Sequence, residues 1–443
     1  MINYSIIKKS QLENGLRLDA EYYQPEYLNL VENLNNLGAV PIRDIAINPK
    51  RKFKPQKGKV FQYIEISEVD LSIGEYNKRE IFGEDAPDRA QWVVKQNDVI
   101  ISTVRPIRNA VSLIREDMNN LVCSSGFAVL KPEKIEPEYL FAYLKSRPIV
   151  KLLDRKTTAT MYPAIAIDDL LNTKIYLGDK GFREEIKNKV IEAQKELETS
   201  RNLYSQAEKL LLEELGLRDF EIEDDLSYIV NLSEIKSAHR ADAEYFQPKY
   251  EKLVERIKKS GAASLLDLVQ NVAARFNPKS QQTKLFQYVE LSNITSSVGT
   301  IDGFSEVAGG EAPSRAKRVL KTNDVILSSV EGSLEKVALV GKEQEGYLAS
   351  NGFFQFRSKD ILPEVLLVLA KSFVLQMQLE KETAGTILTA VPKEAVKNIV
   401  VPKINKPTQQ KIADLVQKSH EARSKAKQLL EQARQSIESL IEG

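Results

Sequence analysis

The chain has 443 residues, which at about 100–200 residues per domain implies roughly two to four folding units, each able to bury a core. Lysine plus arginine number 63 against 62 acidic residues, a formal charge of +1, so any nucleic-acid binding must rest on locally concentrated basic charge. Cys123 is the sole cysteine and His239 and His420 are the sole histidines, too few soft ligands for a structural zinc site or a disulfide framework. The opening residues lack a long apolar stretch, and the most apolar run, 365–370, is cut by Lys371 far short of the ~20 residues of a membrane span. A soluble cytoplasmic protein is expected.

In chain order, residues 60–66, 99–104 and 127–130 are β-branched and aromatic runs punctuated by Gly, Pro, Asn and Asp, the pattern of strands joined by turns. Residues 137–144 read as a helix. From Phe182 to Leu215 there is neither proline nor glycine, predicting one helix of about 33 residues, roughly 50 Å long. Residues 286–291, 325–330 and 353–356 read as strands again, and 407–442 as a second long helix.

The recurrence is a true repeat. Asp19-Ala-Glu-Tyr-Tyr-Gln-Pro returns as Asp242-Ala-Glu-Tyr-Phe-Gln-Pro, and Phe61-Gln-Tyr-Ile-Glu-Ile-Ser as Phe286-Gln-Tyr-Val-Glu-Leu-Ser. Ala86-Pro-Asp-Arg-Ala matches Ala312-Pro-Ser-Arg-Ala, Asn97-Asp-Val-Ile matches Asn323-Asp-Val-Ile, and Ser125-Gly-Phe matches Asn351-Gly-Phe, all at an offset of 226. Two copies of one α+β fold follow. Between the anchors the copies diverge: Arg105-Pro-Ile-Arg faces Glu331-Gly-Ser-Leu.

The long helices share a register. Ile186, Val190, Ala193, Leu197, Ser200, Tyr204, Ala207 and Leu211 alternate by four and three, as do Ile412, Val416, Ser419, Arg423, Ala426, Leu430, Ala433, Ile437 and Leu440. This heptad spacing holds a seam against a partner helix. It predicts a long intramolecular antiparallel two-helix coiled coil joining two similar domains in pseudo-twofold symmetry, with Arg423 as the single break. The other reading is two amphipathic helices, each packed on its own domain. Boundaries are expected at 1–178 and 217–403 for the domains, and at 179–216 and 404–443 for the helical segments.

Catalytic signatures are missing. The sequence has no phosphate-binding loop, no dinucleotide fingerprint, no HExxH and no nucleophile elbow, nor the Asn/Asp-Pro-Pro-aromatic tetrapeptide of adenine methyltransferases. A non-catalytic chain is expected. Nucleic-acid signals are stronger. Lys50, Arg51, Lys52 and Lys54, followed by Lys57 and Lys59, form an acid-free loop suited to phosphates or simply solvated. Ser102 and Thr103 end a strand from which Arg105 and Arg108 can reach guanine edges in a major groove, or form surface ion pairs instead. Ser328, Ser329 and Ser333 stand at the equivalent exit of the second copy. Thr157, Thr158 and Tyr162, and Thr386 and Thr389 opposite them, belong to hydroxyl-rich loops that suit phosphates, base edges or helix caps. Arg89 recurs as Arg315, beside Lys317, which suggests a shared structural or backbone-contacting role. No metal ligands are proposed.

Taken together, Tyr63-Ile-Glu-Ile-Ser and Tyr288-Val-Glu-Leu-Ser, Asn97-Asp-Val-Ile-Ile-Ser and Asn323-Asp-Val-Ile-Leu-Ser, the Gly385-Thr386 loop, the strand at Asn398-Ile-Val-Val-Pro and the Gln409-Gln-Lys-Ile-Ala helix entry give a chain that resembles the DNA specificity subunit of type I restriction-modification systems. The resemblance implies two target-recognition domains that read an asymmetric bipartite site of double-stranded DNA. It also implies a coiled-coil ruler that sets the spacer, and two adenine methyltransferase subunits that carry S-adenosylmethionine chemistry. A translocase/nuclease subunit can join such an assembly. The competing readings are a coiled-coil protein–protein scaffold that reads no DNA, distinguished by salt-independent behaviour towards DNA, and an autonomous methyltransferase, disfavoured by the missing tetrapeptide.

Overall fold

The structure, a computed structural model, describes residues 5–9, 12, 17–158, 161–221, 225–259, 261–385 and 389–442. The chain divides into two compact units, Met1–Glu196 with Ser424–Gly443, and Leu197–Arg423.

The first unit opens with helix α1 (Pro25–Asn36), its proline placed in the first turn where no hydrogen bond is lost. Strands β1 (Val40–Pro41), β2 (Ala46–Ile47), β3 (Val60–Ile64), β4 (Arg79–Phe82), β5 (Ala90–Val93) and β6 (Val99–Ser102) follow. Then come β7 (Val111–Leu113), β8 (Leu121–Ser124) and β9 (Phe127–Pro132), helices α2 (Pro137–Lys145), α3 (Arg147–Arg155) and α4 (Ile167–Leu171), and β10 (Lys174–Ile175). One four-stranded sheet has the order β2-β9-β6-β7, wholly antiparallel. The other has the order β4-β3-β8-β5, with β3 and β8 parallel. Ile64, Cys123, Ile100, Phe127 and Val129 pack together between them, while α2 lies against β6, β7 and β9. Strand β6 is thus buried on both faces, which explains its unbroken apolar run.

Helix α5 (Lys180–Glu214) is continuous, its first turn capped by Asp179, whose Oδ1 accepts from the Phe182 N–H at 2.8 Å. The second unit then repeats the scheme. Its elements are α6 (Leu232–Ala238), α7 (Pro248–Lys259), β11 (Ala262–Ser264), α8 (Leu265–Leu268), β12 (Val269–Asn271) and β13 (Leu285–Val289). A short hairpin, β14 (Ile294–Thr295) and β15 (Thr300–Ile301), precedes β16 (Ser305–Ala308), β17 (Ala316–Val319), β18 (Asp324–Ser328) and β19 (Val337–Leu339). It closes with β20 (Leu348–Ser350), β21 (Phe353–Ser358), α9 (Pro363–Lys371), α10 (Phe373–Glu382), β22 (Val400–Pro402) and α11 (Lys406–Glu442). Its sheets have the orders β12-β21-β18-β19 and β16-β13-β20-β17, strand for strand those of the first unit. Even the register irregularity recurs, between Ala90 and Trp92 and between Ala316 and Arg318. Each unit is α+β, as the alternating runs and punctuation predict.

Strands 99–104 and 325–330 end two residues earlier than their apolar pattern suggests. The hydroxyl oxygens of Ser102 and Ser328 accept from the N–H of Val104 and Val330 at 3.2 and 3.1 Å, closing a local turn that competes with the ladder.

Every heptad position of α5 from Ile186 to Leu211 is buried. In the first unit Lys425 pairs with Glu192 and Glu196, and Lys189 reaches Ser436. In the second, Ser200 and Ser419 exchange hydroxyl contacts at 3.0 Å, and Glu214 accepts from Thr408. Partner numbers fall on α11 as they rise on α5, so the two helices run antiparallel in both units. One seam position shifts: Ile441 is 1% exposed while Leu440 is only half-buried, because a 3.6-residue helix drifts past a 3.5-residue repeat. Arg423 does break the apolar seam, and it has a partner: its guanidinium donates to Asp302 Oδ2 at 2.8 and 3.0 Å. Beside it, His420 Nε2 lies 2.8 Å from the Val298 carbonyl oxygen.

Candidate nucleic-acid interface

The exits of β6 and β18 are built alike. Thr103 donates through both N–H and Oγ1 to the Gly126 carbonyl, and Ser329 does the same to Gly352. The Thr103 carbonyl accepts from the Ile165 N–H, and that of Ser329 from Val391. Thr158 and Ala164 exchange backbone hydrogen bonds, as do Ala384 and Ala390. Finally, the Arg105 N–H donates to the Pro163 carbonyl at 2.7 Å, and the Glu331 N–H to that of Thr389 at 3.0 Å. The strand exit and the hydroxyl-rich loop, distant in sequence, are therefore locked together by the same backbone bonds in each copy.

What differs is the side chain presented there. In the first unit Arg105 has left-handed backbone angles (φ +50°), uncommon for a residue with a Cβ and characteristic of constrained functional turns. It starts the one-turn helix Pro106–Arg108, which ends on Asn109, also left-handed (φ +59°). The Arg105 guanidinium lies 5.6 Å from the centroid of the Tyr162 ring. Ile107, Arg108, Met161 and Tyr162 are exposed beside it. Exposed apolar and aromatic groups interleaved with arginines suit stacking on bases and hydrogen bonding to their edges. In the second unit Glu331 occupies the position of Arg105, and Leu334, which is buried, that of Arg108.

The remaining candidates divide by environment. Lys50, Lys52 and Lys54 are exposed, as are Arg89 and Arg315; Lys317 is half-buried in β17. The carbonyls of Arg89 and Arg315 each accept a backbone hydrogen bond at 2.7 Å, from Ser125 and Asn351, a scaffold role common to both copies. Burial pushes the phenols of Tyr63 and Tyr288 above their ordinary value, and the nearby Arg89 and Arg315 oppose that shift. Thr157 Oγ1 caps the end of α3 by donating to the Asp154 carbonyl, and Thr158 is exposed with Oγ1 3.5 Å from the Ala164 carbonyl. Ser102 and Ser328 are buried and close their turns, and Ser333 Oγ is engaged by Ser328 Oγ at 2.9 Å. Thr386 lies outside the described residues, and Thr389 is half-buried.

Arg51 departs from its neighbours. Its guanidinium turns inward to pair with Asp98, which is 1% exposed, and donates to the Val93 carbonyl. Burial is the largest influence on the Asp98 carboxyl and raises it, with the Lys95 N–H and Arg51 acting against that rise. The equivalent Asp324, also buried, is held by Arg357 on β21 at 2.8 and 2.9 Å and by Gln355. Sequence reading missed this arrangement, although the Asn-Asp pair recurring before each strand was its visible sign: Asn97 and Asn323 share φ +69°. Among the described residues no cluster of ligand side chains could hold a metal ion, and no helix is long and apolar enough to cross a membrane.

Comparison with known proteins gives partial likenesses. No family model matches the chain. A 107-residue stretch is 27% identical to the type I restriction enzyme HindI specificity subunit of Haemophilus influenzae, covering 23% of each chain, so the match spans under a quarter of that curated relative. The HsdS subunit from Thermoanaerobacter tengcongensis aligns over 91% of this chain and 96% of its own at 20% identity and a TM-score of 0.35. The type I restriction-modification S subunit from M. genitalium aligns over 91% and 94% at 14% identity and 0.37. A chain from a structure of type I restriction-modification complex assembly aligns over 91% and 96% at 18% identity and 0.33. The chain is thus similar to type I specificity subunits, the family that its duplicated motifs resemble.

Proposed function

We propose that this chain is the sequence-specific DNA-recognition subunit of a type I restriction-modification complex, itself non-catalytic. Each unit reads one half of a bipartite site, and the paired helices set the spacer. Two adenine methyltransferase subunits, to which S-adenosylmethionine binding is assigned, dock on it in the cytoplasm, with a restriction/translocase subunit able to join them.

The observation that carries this reading is the combination of an invariant frame and unlike tips. Sheet order, register irregularity and the backbone bonds of the strand exit coincide between copies, whereas Arg105 and Arg108 stand where the other copy has Glu331 and Leu334. Two readers of the same half-site would carry the same side chains. Unlike tips specify an asymmetric site, because a base edge is discriminated by the donors and acceptors set against it. Arg105→Ala or Arg108→Ala should therefore relax one half of the methylated motif, at a cost of about 1–3 kcal/mol in discrimination, as read by methylome sequencing of a host carrying each variant. Equal loss at both halves would assign the two arginines to phosphate binding, and an unchanged motif would remove them from DNA recognition.

A further inference from the structure

The turn that presents Arg105 and Arg108 is clasped from beneath. Lys145, the last residue of α2, is 6% exposed, and its Nζ donates to the carbonyls of Leu71 at 3.0 Å and Asn109 at 3.4 Å. In return Asn109 Nδ2 donates to the Lys145 carbonyl at 2.9 Å. Asn109 is the left-handed residue on which the turn ends, so the clasp grips the point where the backbone is least able to hold itself. The hydrogen bonds of this buried ammonium go to backbone carbonyls, and a carboxylate, Asp70, favours its charge, as a lysine is rarely buried without such support.

We propose that Lys145 is a positioning residue for DNA recognition by the first unit: its ammonium, shared between the Leu71 and Asn109 carbonyls, fixes the foot of the 105–108 turn and thereby where its two arginines enter the groove. The proposal rests on the DNA-reading function argued above. The second copy supplies a contrast. Its equivalent Lys371 donates to the Ser296 carbonyl, and the foot of the corresponding turn is held by Gln376, whose Nε2 donates to the Leu334 carbonyl at 3.1 Å. The lysine recurs, but among the described residues its hydrogen bond to the carbonyl at the foot of the turn is found in the first unit, whereas in the second Lys371 faces that foot through the charge of Glu335.

The charged groups facing the Lys145 ammonium are Asp70, which favours its charge, and Arg434 of α11, which opposes it. Arg434 is itself paired with Glu431 and Glu438, and the latter accepts from the Arg147 N–H on α3. Burial outweighs these and brings Lys145 down to about 8. Above that value the amine is neutral and its hydrogen bonds lose their charge assistance. An unfolded chain would still hold this proton up to the ordinary lysine range, so folding stability rises with pH between about 8 and 10.4 while the clasp weakens. Loosened recognition without unfolding is the signature.

The test uses the full chain with its modification subunits. Methylation is measured on plasmids carrying single-base changes in either half of the motif that methylome sequencing returns, at about pH 7 and pH 9. Taking ratios between plasmids at one pH cancels the pH dependence of methyl transfer. Wild type should lose discrimination in the first unit's half by about tenfold on going to the higher pH. Lys145→Met should show that loss at both pH values, Asn109→Gly should share it, and Lys371→Met should keep wild-type behaviour in that half. If Lys145→Met fails to fold, Asn109→Gly, which retains the left-handed backbone, and the wild-type pH profile decide. Wild-type discrimination by both clasp variants, or a pH response that persists in Lys145→Met, overturns the proposal. Arg105→Ala is the control: if it too leaves both halves unchanged, the reading function of the turn has failed, not the clasp alone.

Discussion

Replacing Arg423 by leucine, the residue at the equivalent seam position 197 of the first long helix, should loosen the contact between α11 and the β14–β15 hairpin. The Arg423 side chain is 4% exposed and that of Asp302 13%, so solvent screens the pair little. Removing one partner of a buried pair costs about 3–5 kcal/mol because the other charge is stranded. Asp302 keeps two donors, the hydroxyls of Thr295 at 2.8 Å and Thr300 at 3.0 Å, which offset about 1 kcal/mol each. The remaining loss is about 1–3 kcal/mol, or roughly 5- to 150-fold in an opening equilibrium. Hydrogen exchange followed by mass spectrometry reads this locally: amides in 294–302 and 416–423 should exchange faster by that factor, while those of 186–193 in the first unit stay unchanged. Arg423→Leu combined with Asp302→Asn should recover most of the protection, since a neutral amide is far less costly to bury. An acceleration below about threefold, or a double variant no better protected than the single one, would refute the view that this seam break is a charge-paired anchor.

Two further outcomes follow from the site. Arg51→Ala should lower stability by about 3 kcal/mol in thermal unfolding and leave the salt dependence of duplex binding intact, whereas Lys52→Ala and Lys54→Ala should each reduce the salt slope by about one without a change in melting. The reverse pattern would move Arg51 to the DNA surface. His420 is held below its ordinary value mainly by burial and by the adjacent Arg423, with the Val298 carbonyl, Asp302 and Glu364 acting the other way. The unfolded chain takes up that proton near pH 6.5 while the native chain resists it, so stability contributed by neutral His420 is lost as pH falls below about 6.5. The melting temperature should drop between about pH 7.5 and pH 5.5 in wild type, and drop less in His420→Gln; equal drops would exclude the imidazole as the cause.

The seam of the long helices was readable because periodicity is a local property that packing then used as written: all eight positions from Ile186 to Leu211 are buried. The duplicated sheets were readable for the same reason, through anchors at fixed spacing. Functional side chains were less so. Lys50, Arg51, Lys52 and Lys54 look alike in sequence, and what separates Arg51 from the others is a carboxylate 47 residues away. Lys145 gave no sign beyond being the polar end of an apolar helix, because its partners at 71 and 109 are backbone carbonyls, which no side-chain pattern records. Ser102 and Ser328 show the opposite case: a hydroxyl at a strand exit suits a ligand or its own backbone equally well in sequence, and here it closes its own turn.

The buried aspartates also constrain how the two halves could exchange parts. Asp98 draws its guanidinium from position 51, where the other copy has Ala274, and Asp324 draws its own from position 357, where the first copy has Lys131. A hybrid joined between these points would inherit either both arginines crowding one carboxylate or neither. Swapping complete units leaves each acid with its own cation, so genetic shuffling of specificity should tolerate whole-unit transplants and select against crossovers inside the β scaffold.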